Sequence, residues 1–74
     1  MKRSLITRSR EIMGGTPVFS GSRVPVRALI DYLEAGRSLD EFLDDFPSVS
    51  RSKAIGVLEL VQDQIQKIPY ERAA

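Results

Sequence analysis

A chain of 74 residues, 42% hydrophobic and 28% charged, with no cysteine, histidine or tryptophan, predicts one small domain. Those absences exclude a Ser-His-Asp triad, a cysteine nucleophile, a thiolate or imidazole zinc site and a histidine proton shuttle. The formal charge of +1 hides a division. Residues 1–27 carry Lys2, Arg3, Arg8, Arg10, Arg23 and Arg27 against Glu11, a balance of +5, whereas residues 28–50 carry Arg37 against Asp31, Glu34, Asp40, Glu41, Asp44 and Asp45, a balance of −5.

In chain order, residues 4–7 form a short β-prone run, and Met13-Gly14-Gly15-Thr16-Pro17 is a loop by its glycine and proline content. Pro17-Val18-Phe19 and Arg23-Val24-Pro25-Val26 read as two extended pieces around a tight turn at Ser20-Gly21-Ser22. Gly21 can take the positive φ such a turn requires, and the two prolines, unable to donate to a ladder, confine both pieces to sheet edges. From Val26 the apolar period changes from two to 3.6. Val26, Leu29, Ile30 and Leu33 share one face of a helix of about ten residues that Gly36 stops.

Ser38-x-x-Glu41 is a capping box, which starts a second short helix at Leu39. That helix turns Leu39, Phe42, Leu43 and Phe46 inward before Pro47. Ser50 is the expected N-cap of the last and longest helix, whose stripe is Ala54, Ile55, Leu58, Val61, Gln62 and Ile65, with Val57 and Leu60 at its margins. The domain divides into a basic β element and loop over residues 1–25, a three-helix region over 26–68 and a tail over 69–74. The expected fold is mostly α, a trihelical helix-turn-helix domain, homeodomain-like or winged-helix-like, with a small N-terminal β element.

The segment GGTPVFSGSRVPV over residues 14–26, followed by a helix, the Ala35-Gly36 stop, the Ser38-Leu39-Asp40-Glu41 start, Phe46-Pro47 and a final helix, strongly resembles the prokaryotic domain-of-unknown-function family 433. The resemblance spans roughly residues 6–65, and its motif residues here are Gly14, Gly15, Pro17, Gly21, Arg23 and Pro25. Thr16 and Ser22 stand where many relatives carry Lys and Thr, so no contact of that lysine transfers. The resemblance implies a trihelical, often dimeric domain without established enzyme activity. It also implies an antitoxin of a type II toxin–antitoxin system, encoded beside a PIN-like ribonuclease.

Several residues have a functional reading beside a plainer one. The Gly14-Gly15 pair could form an anion nest, but a loop reversing the chain accounts for it, and the P-loop order is absent. Arg23 suits either a clamp on loop carbonyls or a phosphate contact. Arg27 sits in the first turn of its helix, the wrong end for a cation, which points to a contact outside the chain. Ser50, Arg51, Ser52 and Lys53 occupy the front of the last helix, where helix-turn-helix proteins contact DNA. The acidic second helix stands against that use, since its carboxylates would meet phosphates.

Asp40, Glu41, Asp44 and Asp45 read as a solvated face or as a phosphate mimic on a basic toxin groove; Asp44 and Asp45 diverge by about 100° on a helix and cannot share one metal ion. The sequence is thus read as an antitoxin-like protein that binds a PIN-like toxin, with operator DNA as a further ligand. The alternative is a transcriptional regulator without a toxin. No enzyme activity, cofactor or metal is expected. A homodimer is expected, because one core in a chain this short supplies only about 3–5 kcal/mol. With no apolar run of about 18 residues and no signal-peptide pattern, a soluble, unprocessed cytoplasmic protein is expected.

Overall fold

The computed structural model describes residues 5–71; Lys2, Arg3, Ser4 and the end of the tail lie outside them. Two short strands, β1 (Ile6–Thr7) and β2 (Val18–Phe19), flank a single 3-10 turn at Met13–Gly15. Three helices follow, α1 (Val26–Glu34), α2 (Leu39–Asp45) and α3 (Arg51–Gln66). The fold is mostly helical with a small β element, as the change of apolar period at Val26 predicts.

The strands pair antiparallel, Ile6 opposite Phe19 and Thr7 opposite Val18. The second extended piece is reduced to one bridge between Val18 and Pro25, because a proline without an N–H cannot extend a ladder. Between them Gly21 takes φ +81°. Ser22 closes the turn, its N–H and hydroxyl both donating to the Phe19 carbonyl (3.0 and 2.8 Å) while its Oγ accepts from Val24 N–H (3.1 Å).

Each helix boundary has a local cause. α1 ends in a Schellman motif: Arg37 N–H reaches the Tyr32 carbonyl (2.9 Å), Gly36 N–H reaches Leu33 (3.0 Å), and Gly36 takes φ +80°. Ser38 and Glu41 complete the capping box at the start of α2 (3.0 and 2.9 Å). Ser50 Oγ accepts from Lys53 N–H (3.1 Å) at the start of α3. Leu5, just before β1, packs close against α3 because Gly56 has no side chain; a Cβ there would stand 2.8 Å from Leu5 Cδ1.

Phe19, Leu29, Phe42, Val49, Ala54 and Val57 form the buried core. Two apolar faces differ from their sequence reading. On α1 the inward face is rotated toward Ala28 and Tyr32, leaving Leu33 exposed. The Tyr32 ring packs edge-on against Phe42 and Phe46 (centroids 5.4 and 5.7 Å), and that aromatic cluster sets the rotation.

On α3 the difference is larger. Val57, expected at the margin, is buried with Ala54, while Ile55 faces solvent. Val61 and Ile65 do continue the stripe of Ala54, Val57 and Leu58 at helical spacing, but they are 40% and 58% exposed. The core covers only the first two turns of α3, and every residue from 59 to 71 is exposed. A helix of this length measures about 24 Å, in keeping with a longest molecular dimension of 47 Å against 29 and 26 Å for the others.

Candidate functional site

At the front of α3, three of the four residues read as DNA contacts hold the fold together. Ser50 is the cap. The Arg51 guanidinium pairs with Asp40 at the start of α2. Lys53 Nζ, half-buried, donates to the Ser20 carbonyl in the β turn (2.5 Å). Ser52 is exposed and makes no such bond among the described residues. A cation near a helix N-terminus is electrostatically misplaced; for Arg51 and Lys53 the compensating partner lies within the chain.

The acidic band is similarly occupied. Asp40 holds Arg51. Glu41 closes the capping box and lies 3.5 Å from Arg37. Asp45 accepts the Tyr32 hydroxyl (2.6 Å) and lies 3.7 Å from Arg37, whose guanidinium stacks 4.8 Å from the Tyr32 ring centroid. The Ser38 N–H, aided by Arg37, lowers the Glu41 pKa below its ordinary value. The hydrogen bond to Asp45 raises that of Tyr32. Asp44 has no ion-pair or hydrogen-bond partner among the described residues.

The glycine pair forms a closed turn. Met13, Gly14 and Gly15 all have positive φ, and the N–H groups of Gly15 and Thr16 are spent on the carbonyls of Ile12 and Met13 (3.0 and 3.3 Å). Arg8 Nε donates to the Gly15 carbonyl (2.6 Å), so Arg8 makes the loop clamp that the sequence suggested for Arg23. Arg23 itself is exposed and has no hydrogen bond or ion pair among the described residues. Arg27 faces Asp31 at 3.8 Å, with both side chains more than half exposed, a geometry that contributes little.

Arg23 borders an open groove of about 490 Å³ lined also by Thr7, Ile12, Gly21, Ser22 and Ser48. These come from β1, the loop after it, the β turn and the α2–α3 connection, and the fold brings them together. Gly21 and Arg23 belong to the motif read from the sequence, whereas Thr7, Ile12 and Ser48 carried no sequence signal as groove residues. Tyr32 was also missed, though its i,i+3 spacing from Leu29 is a usable sign of a shared face.

Comparison with known proteins agrees with the motif. The family described as Protein of unknown function (DUF433) matches residues 6–60. An uncharacterized protein of Sinorhizobium fredii (strain NBRC 101917 / NGR234), y4eO, is 41% identical over 51 residues, which are 69% of this chain and 23% of that protein. The chain therefore spans less than a quarter of the length of this curated relative. No solved structure matches. With the family match covering most of the chain, from β1 into the third turn of α3, the protein belongs to the DUF433 family.

Proposed function

We propose that this protein is an antitoxin-like member of a type II toxin–antitoxin system, which docks on a PIN-like ribonuclease through the outer half of α3 and neutralises it. The observation that carries this reading is the stripe that outruns its own core. Ala54 and Val57 are buried, yet Val61, Ile65 and, past the helix end, Ile68 are 40%, 58% and 68% exposed. An amphipathic helix with an uncovered apolar face suits an apolar groove on a partner. Covering these side chains and Leu60 adds roughly 3–6 kcal/mol of apolar burial, before association costs.

Asp44 is the carboxylate of the acidic band left for a basic toxin surface, since Asp40, Glu41 and Asp45 have partners in the chain. In the free chain the same stripe is open to a second copy, so homodimer and toxin complex compete for it. The engagement of Arg51 and Lys53 within the fold argues against a regulator that reads DNA with the front of α3. Co-expression with the product of the adjacent gene tests the proposal. Relief of that product's toxicity and co-elution of the two proteins are expected; toxicity with no complex would refute it.

A further inference from the structure

The +5 balance of residues 1–27 lacks a receptor site until the side chains are placed. Among the described cations, Arg8 holds the Gly15 carbonyl, Arg27 faces Asp31, Arg37 faces Glu41 and Asp45, Arg51 holds Asp40, and Lys67 faces Asp63. Arg10 and Arg23 have no such partner among the described residues, and of the two it is Arg23 that borders the groove beside the β turn. A second positive charge stands at the same wall. Lys53 Nζ, bonded to the Ser20 carbonyl, lies 3.4 Å from the position a Cβ on Gly21 would take. An ammonium has three donors, and the Ser20 carbonyl uses one.

We propose that this groove is an oxyanion site for a backbone phosphate of nucleic acid, held by the Arg23 guanidinium and backed by Lys53. With no side chain at Gly21 to stand against Lys53, the turn stays open beside its ammonium, and the Ser48 hydroxyl on the groove, which makes no hydrogen bond among the described residues, suits a phosphate oxygen. A guanidinium fork matches phosphate geometry. A nucleic acid is favoured over an acidic peptide because the chain segment that supplies the arginine is basic throughout, with Arg8, Arg10 and Arg27 against Glu11 alone among the described residues. A polyanion with regularly spaced charges uses such a segment more fully than one carboxylate does. This places phosphate contact at the β turn, with Lys53 the one residue from the front of α3 that takes part. It does not depend on toxin docking, and its test contains no partner protein, so the two proposals fail separately.

The test is fluorescence anisotropy of the full chain with a labelled DNA duplex of about 20 base pairs, from about 50 to 200 mM salt. Arg23→Ala is compared with Lys67→Ala, which removes the same charge from the end of α3, and circular dichroism confirms that both variants are folded. Arg23→Ala is expected to weaken binding about tenfold and to make the slope of log K against log salt shallower by about 0.9; Lys67→Ala should leave both near the parent values. Duplex-induced amide shifts in the parent chain are expected at Gly21–Ser22–Arg23 and Ser48. Absence of duplex binding overturns the proposal, as does equal weakening in the two variants. Tighter binding of a poly-glutamate peptide than of the duplex reassigns the groove to acidic peptides, and amide shifts with inorganic phosphate but none with the duplex reassign it to free phosphate; either result overturns the nucleic-acid assignment.

Discussion

Tyr32 joins the two parts of the α1–α2 contact, with its ring against Phe42 and Phe46 and its hydroxyl on Asp45. Tyr32→Phe keeps the ring and removes the bond, so it is expected to lower the thermal midpoint at neutral pH. Because the Tyr32 pKa is raised in the fold, this contribution is present below the ordinary tyrosine value and is lost as pH rises through the folded one. The gap between parent and variant should therefore narrow above about pH 10. Glu41 behaves in the opposite sense. Its pKa is lowered, so its contribution is present above about pH 4.3 and disappears as pH falls through the folded value. Thermal melts of the parent and Glu41→Gln should differ at neutral pH and converge in acid.

Among the elements, the caps were legible and the packed faces less so. Ser38-x-x-Glu41, Gly36 and Ser50 each satisfy backbone groups within four residues, which is why the sequence alone places all three helix boundaries to within a residue or two. Ser50→Ala is expected to cost about 1 kcal/mol in urea unfolding. Side-chain periodicity, by contrast, identifies a helix's apolar stripe without saying how much of it a core covers. On α3 Val57 rather than Ile55 is buried, on a helix where Leu5 packs against Gly56, a contact between residues far apart in the chain.

That approach is itself testable. Gly56→Ala in an open helix would gain up to about 1 kcal/mol of helix propensity; against Leu5 that gain is expected to vanish, and Gly56→Val should destabilise by about 1–3 kcal/mol. The groove lay beyond sequence reasoning for the same reason. Arg23 and Gly21 were singled out by their motif, but Lys53 reaches Ser20, next to Gly21, from 33 residues away through a carbonyl that nothing in the local pattern marks.

The whole molecule is a small core from which a helix extends. Phe42 lies at the centre of that core, touching Phe19, Tyr32 and Phe46. Phe42→Ala, at about 3–5 kcal/mol, is expected to exhaust the stability of a chain this short and abolish cooperative unfolding. Val61 and Ile65 lie outside the core and beyond the end of the family match at residue 60. Under the proposed docking they are the residues that would set which partner is bound. The direct measurement is isothermal titration of the product of the adjacent gene with the parent chain and with the Val61→Asp/Ile65→Asp double variant, both checked for an unchanged thermal midpoint. Saturable binding by the parent, with inhibition of the partner's ribonuclease activity and loss of both in the double variant, is the predicted result; equal binding by the two chains would contradict it.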